Sequence, residues 1–249
     1  MQQRRKSAYI PEGIDGLAIR NREEENVSFA PLRWLNRLSF RKDRNVNDLY
    51  IKFFKRLFDI VLSVAGIVVL AIPMIVVALI VKLDSPGPVF FKQKRVGIHK
   101  AYFNIIKFRS MPTGTPSDVP THLLADTEYD LTKWQRFIRK SSIDELPQMF
   151  NILAGSMSVV GPRPALWNQY DLLEERDGYA ANDVKPGLTG WAQINGRDNL
   201  TIGEKAYLDG EYVKQISFAF DCKCFFGTIG KGWRGEPGAV RRNEENDHL

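Results

Sequence analysis

Between Ile60 and Val81 the chain carries no charged side chain, an apolar run as long as the roughly 20 residues that cross a bilayer core as a helix. Pro73 lies near its middle, where it removes a backbone donor and bends or breaks a helix. Basic residues flank the run on both sides, with Lys52, Lys55 and Arg56 before it and Lys82, Lys92, Lys94 and Arg95 after it. A crossing helix carries a Lys/Arg bias towards one side, whereas this symmetry suits a helix-break-helix that enters one leaflet and returns. Against re-entry stands the need to satisfy, within lipid, the carbonyls freed at Pro73, for which Ser63 is badly placed unless the chain folds back. The residues leave both arrangements open, and either one makes this a membrane protein.

Beyond the run, the turn-forming cluster Asp84-Ser85-Pro86-Gly87-Pro88 ends the apolar segment. Val89 to Gln93 and Tyr102 to Phe108 read as short strands, forming a hairpin around Val96-Gly97 at the membrane surface. Pro112 to Pro120 reads as a loop. Leu131 to Lys140 has helical spacing, with Trp134, Phe137 and Ile138 on one face and Arg136, Arg139 and Lys140 directed towards charge. A second helical pattern, Leu146, Met149, Phe150, Ile152 and Leu153, stops at Ala154-Gly155. Pro147 is comfortable only in a first helical turn, which predicts Asp144 near the N-cap and Glu145 at the first helical position. Val213 to Trp233 suits an interfacial or a core helix. The pattern as a whole predicts an α+β, mainly helical protein with short strands.

Length and charge narrow the possibilities. A chain of 249 residues holds one full domain plus an extension, or two small domains. Residues 1–50 carry Arg4, Arg5, Lys6, Arg41, Lys42 and Arg44 with little periodicity, a basic extension without the apolar core of a signal peptide. Residues 51–234 are expected to form the folded part, and residues 235–249 a charged tail. The net charge of +6 favours an anionic partner. Lys94, Arg95, Lys107 and Arg109 interleave with Phe90, Phe91, Phe103 and Phe108, and beside a membrane segment such a face suits anionic phospholipids or a lipid phosphate rather than nucleic acid. Cys222 and Cys224 are too close for an easy disulfide, and His99, His122 and His248 are scattered. These residues give no support to a histidine-based metal centre or catalytic triad.

The candidate chemistry lies between Arg139 and Pro164. One reading makes Asp144 and Glu145 cap and dipole carboxylates, with Ser142 and Glu145 as a capping box. The other makes them phosphate chemistry: first-turn N–H groups keep Asp144 ionised and attract a phosphate, and an ionised carboxylate can act as a nucleophile. Their company favours the second. Arg139 and Lys140 precede them, and Arg163 sits in Gly161-Pro162-Arg163-Pro164, a turn suited to bidentate phosphate contact. Lys185 to Arg197 then packs turn signals, Trp191 and Arg197 into a short loop.

Six collinear blocks carry a resemblance: Lys55 to Asp59, Ser85 to Phe91, Lys107 to Met111, Ser142 to Gln148, Met157 to Pro164 and Pro186 to Arg197. In these the chain resembles the bacterial sugar transferase family, the monotopic phosphoglycosyl transferases that begin glycoconjugate assembly on a polyprenol phosphate. The resemblance implies a Pro-broken re-entrant helix over about residues 57–83 and a small catalytic domain on the cytoplasmic face of the bacterial inner membrane. It further implies that Asp144 is the nucleophile, that Glu145 helps bind Mg2+, and that Arg139, Arg163 and Arg197 contact phosphate, with Lys107 and Arg109 beside them. The substrates implied are a UDP-sugar and polyprenol phosphate, with UMP released. Homo-oligomer formation, the sugar and the pathway stay open. Two other classes compete: a membrane-tethered interaction protein, and a non-covalent glycosyltransferase that releases UDP. The chain departs from the family pattern at residues 1–50, at Glu128 to Thr132, where an acid stands at an expected arginine, and at Leu208 to Val213, which keeps the Asp209 and Tyr212 pattern only approximately.

Overall fold

The structure is a computed structural model that describes residues 49–116, 131–196 and 199–234. The expected basic extension therefore lies, apart from Leu49 and Tyr50, outside the described residues, as do residues 117–120 of the expected 112–120 loop and the tail at 235–249.

The chain enters through a π-helical turn, Tyr50–Phe54, and continues as α1, Lys55–Val69, and α2, Ala71–Asp84. The two helices part at Leu70, where φ is −96° and ψ is 8°. That break precedes Pro73 for a steric reason. The proline ring would meet the Val69 carbonyl and has no N–H to offer it, so the helix yields one turn earlier and Pro73 falls in the first turn of α2. Little backbone is left wanting, because Leu70 N–H bonds Gly66 O at 2.9 Å and Met74 N–H bonds Leu70 O at 2.8 Å. Ser63 takes no part in the break; its hydroxyl donates to Asp59 O at 2.6 Å. Around the break Val68, Val69 and Ile72 are strongly exposed, at 70, 74 and 74%.

Both ends of this helix pair are tied to the same body. At the start of α1, Lys55 Nζ donates to Asp221 Oδ2 at 2.6 Å and to Val160 O at 2.9 Å, all buried. Arg56 donates to the carbonyls of Ile152 and Leu153 at 2.6 and 2.8 Å, closing the end of a helix in that body. At the end of α2, Met74, Val77 and Val81 follow helical spacing into a cluster with Phe108 and Ile138. Asp84 there accepts from Thr132 Oγ1 at 2.7 Å.

Strands β1, Phe90–Val96, and β2, Tyr102–Phe108, form an antiparallel hairpin running from Phe90↔Phe108 to Val96↔Tyr102. β1 outlasts the expected end at Gln93 because its pairing with β2 continues to Val96↔Tyr102, with Gln93 and Val96 buried on opposite faces. Helix α3, Lys133–Lys140, starts at a capping box between Thr132 and Gln135. It buries Ile138 and leaves Trp134 and Phe137 exposed, splitting the face expected to be shared. A 3-10 turn, Ile143–Glu145, leads to α4, Gln148–Ala154. This corrects the expected helix start: Asp144 lies inside the turn, Pro147 is the N-cap, and Ser142, at φ 57°, makes no capping bond.

β3, Ser158–Val160, then pairs in parallel with β4, Gly187–Thr189, which the sequence offered only as loop. Between them lie α5, Tyr170–Asp177, and a 3-10 turn. Glycine makes the pairing possible, since a Cβ at Gly187 would stand 2.1 Å from Gly161 N. After α6, Trp191–Ile194, come α7, Ile202–Gln215, and α8, Phe218–Arg234. The main core joins Ile105, Ile152, Met157, Val160, Tyr212 and Phe220. α8 packs into the core through Phe220, Asp221 and Cys224 and leaves Phe218, Phe226 and Ile229 exposed. Cys222 and Cys224 are both free thiols. The outcome is a mainly helical protein with few short strands and one long apolar helical segment, a form compatible with a monotopic membrane protein.

Removing Lys55 leaves Asp221, whose side chain is fully buried, without its cation. Lys55→Ala is expected to cost about 3–5 kcal/mol, measured by denaturant unfolding of the detergent-solubilised protein.

Candidate active site

The hairpin, the 3-10 turn and the turn after β3 converge on Glu145. Lys107 on β2 donates through Nζ to Glu145 Oε1 at 2.8 Å. Arg163 donates through one Nη to Oε1 at 2.7 Å, with its other Nη 3.5 Å from Oε2. Burial alone would drive Glu145 towards its neutral form, but the charges of Arg163 and Lys107 overcome it and hold the carboxyl well below the usual carboxylate range. Glu145 is thus a fixed anion organising two cations.

Asp144 has a different balance. It is 8% exposed, and burial, reinforced by the charge of Glu145, pushes its carboxyl up to about 6 against the pull of Lys107, Arg163 and Arg139. The first-turn N–H groups expected to depress it do not decide the matter, because the residue lies in a 3-10 turn and loses water instead. At pH 7 such a group is still about nine-tenths ionised. It is a desolvated carboxylate poised near neutrality, with three cations around it, an arrangement suited to nucleophilic attack on a phosphorus.

The expected residues divide. Asp144, Glu145, Lys107, Arg163 and Arg139 are brought together, and Arg139 also places one Nη 3.1 Å from Met111 Sδ. Arg109 is used otherwise. Its guanidinium, buried at 5% exposure, donates to the carbonyls of Pro86, Ser85 and Val81 at 2.5, 2.7 and 3.2 Å and so closes the C-terminal end of α2. Arg197 lies outside the described residues.

Two residues were missed. Arg95 shares the hairpin face of Lys107, because the pairs Phe91↔Lys107 and Arg95↔Phe103 lie an even four residues apart on each strand. It donates to Gln93 Oε1 and to Pro164 O, the latter at 3.0 Å, and so supports the Arg163 turn. Burial and then the charge of Arg163 lower its affinity for a proton, with Glu145 opposing. Strand alternation carried beyond Gln93 would have found it. The second is Gln148, 2% exposed, whose Nε2 has no hydrogen-bond partner among the described residues; its place directly after Pro147 was the signal.

Among the described residues no three His, Cys, Asp or Glu side chains gather to hold a metal. Mg2+ requires less, being commonly held by one or two carboxylates together with substrate phosphates and water. Glu145 fits that part: Oε1 is taken by two cations, whereas Oε2 has its contact with Arg163 only at 3.5 Å.

A buried acidic dyad ringed by cations is an arrangement suited to phosphate chemistry. The sequence profile of bacterial sugar transferases matches residues 50–235, and the chain belongs to that family. It is 43% identical over 177 residues to the uncharacterized sugar transferase EpsL of Bacillus subtilis, a match covering 71% of this chain and 86% of that protein. It is 44% identical over 187 residues to the undecaprenyl-phosphate glucose phosphotransferase of Komagataeibacter xylinus, covering 70% of this chain and 35% of the relative. For the UDP-glucose:undecaprenyl-phosphate glucose-1-phosphate transferase of Escherichia coli (strain K12) the figures are 42% over 191 residues, 73% and 40%. The chain thus spans well under half the length of these last two relatives.

The raised carboxyl gives a direct test. Carboxyl-labelled aspartate followed by 13C NMR, with Asp144→Asn for assignment, is expected to show one midpoint near pH 6. Lys107→Met removes a cation that favours the ionised form, so the midpoint moves upward.

Proposed function

We propose that this protein transfers a phosphosugar from a UDP-sugar to a polyprenol phosphate of the undecaprenyl type, releasing UMP, with Asp144 as covalent nucleophile. The observation that carries the reading is the division of the dyad: Glu145 is ion-paired to Lys107 and Arg163, and Asp144 is the buried carboxylate beside them that titrates near neutrality. An Asp144 oxygen bonds to the sugar-proximal phosphorus, and the bridging oxygen leaves with UMP. A phosphate oxygen of the polyprenol phosphate then bonds to the same phosphorus, and the Asp144 carboxylate leaves, yielding a polyprenyl diphosphosugar. Lys107, Arg139 and Arg163 offset charge on the transferring phosphoryl group, and Arg197 joins them by its place in the family motif. Glu145 would hold Mg2+, which when bound neutralises phosphate charge.

The same reading places α1 and α2 in one leaflet of the bacterial inner membrane, as a re-entrant pair with the catalytic body at the cytoplasmic face. It is supported by the ties of both helix ends to one body, through Lys55–Asp221 and Thr132–Asp84, and by the exposed apolar residues at the break. Exopolysaccharide, capsule or glycoprotein glycan assembly is the class of process that consumes such a product.

Protein in liposomes with undecaprenyl phosphate and Mg2+ is expected to release UMP from one of UDP-glucose, UDP-galactose and UDP-N-acetylgalactosamine. Asp144→Asn should lose more than about a thousandfold in rate, and mass spectrometry should find a phosphosugar adduct on the Asp144 peptide before acceptor is added. UDP as the released nucleotide would sink the covalent route. For topology, single cysteines at Lys52 and Lys92 in spheroplasts should both resist an impermeant thiol reagent added outside. Labelling of one alone would show a crossing helix.

A further inference from the structure

The backbone around Arg163 is held by more than the β3–β4 pairing. Gly161 N–H bonds Thr189 O at 2.8 Å, and Gly187 N–H bonds Pro162 O at 2.9 Å. Val160 O receives Lys55 Nζ at 2.9 Å and lies 3.0 Å from the Tyr212 hydroxyl. The Arg163 carbonyl receives Nη2 of Arg176 at 3.0 Å. Arg176 is itself buried, at 5% exposure, and its Nε and Nη2 donate to Asp209 Oδ2 at 2.8 and 2.6 Å. Asp209 is 1% exposed and lies three residues from Tyr212 on α7. One helix face therefore holds the turn at both ends, through Tyr212 at Val160 and through Asp209 and Arg176 at Arg163.

A buried guanidinium needs a paired anion, and Asp209 supplies it. The planar fork of arginine then lets one group satisfy a carboxylate and a carbonyl together, which a lysine ammonium does not reproduce. Neither residue is among those brought to the dyad; their link to it runs through the Arg163 main chain. We propose that Arg176, fixed by Asp209, is a positioning residue that sets the Arg163 guanidinium against Glu145 and hence against the transferring phosphate. This rests on the reading of Arg163 as a phosphate-binding residue.

The test is a double-variant cycle on the full chain in liposomes, following UMP release from whichever of the three UDP-sugars above supports parental turnover. Arg176→Lys is expected to slow turnover about tenfold to a hundredfold, Arg163→Ala at least as much, and the double variant no more than Arg163→Ala alone, because Arg176 acts through Arg163. The division between kcat and KM supplies a second readout. Because Arg176 acts through the Arg163 main chain, Arg176→Lys should divide its loss between kcat and KM in the same sense as Arg163→Ala, with no further change in the double variant. Asp209→Asn takes the place of Arg176→Lys in the same cycle if thermal melting shows that the lysine variant does not fold. Multiplying losses in the double variant, a kcat and KM division opposite in sense to that of Arg163→Ala, or parental turnover in Arg176→Lys overturns the positioning role. Parental turnover in Arg163→Ala instead overturns the phosphate-binding reading beneath it.

Discussion

Lys55 carries a positive charge from the first turn of the apolar helix pair into the protein interior, where Asp221 receives it at 2.6 Å. The Tyr50 hydroxyl donates to the same carboxylate at 2.7 Å. That of Tyr212 stands 2.8 Å from its other oxygen and 3.0 Å from Val160 O, so it can donate to only one at a time. Five elements meet in this knot: the π-turn, α1, the end of β3, α7 and α8. Well-packed apolar residues of similar volume would be about as stabilising as a buried ion pair. What the pair adds is directional, because its donors fix α1 in angle as well as position. The strand end they also contact leads straight into the Arg163 turn.

The dyad shows why that fixity matters. Glu145 and Asp144 are both removed from water, and each would be neutral if burial acted alone. Arg163 and Lys107 contact Glu145 directly and settle its charge, while Asp144 feels the same cations without overcoming its desolvation. The poise of Asp144 near neutrality is therefore a small difference between large opposing influences. A displacement of Arg163 alters both sides of it, which is why a turn secured at four backbone positions suits this site.

Much of this was legible in the residues, and the failures have physical causes. The apolar run, the hairpin, the helix over Leu131 to Lys140 and the dyad's cationic company all rest on local periodicity or turn chemistry, which short stretches encode. The parallel pair β3–β4 was invisible because its strands are three residues long and far apart in sequence. Arg109 was misassigned for a related reason. An arginine next to a basic strand reads as a ligand for anions, and only tertiary structure shows its donors committed to carbonyls at the end of α2. The raised carboxyl of Asp144 was likewise hidden, since a helix start predicts the opposite shift and burial cannot be read from a tetrapeptide.

The 3-10 turn also revises how two adjacent carboxylates work together. Consecutive side chains on such a turn diverge by about 120°, so Asp144 and Glu145 cannot present parallel faces to one ligand atom. One must turn towards the hairpin and the Arg163 turn, and Glu145 does so. Asp144 is left facing a different quarter, near enough to share the field of the same cations but not paired with them in the way its neighbour is. Adjacency thus supplies a common electrostatic environment, and divergence supplies two roles within it. A regular α-helical start at Asp144 would still separate the side chains, by about 100°, but it would expose the first-turn N–H groups to the nucleophile and depress it. In the short turn burial outweighs the surrounding cations, leaving a carboxylate raised to about 6 and still mostly ionised at neutral pH.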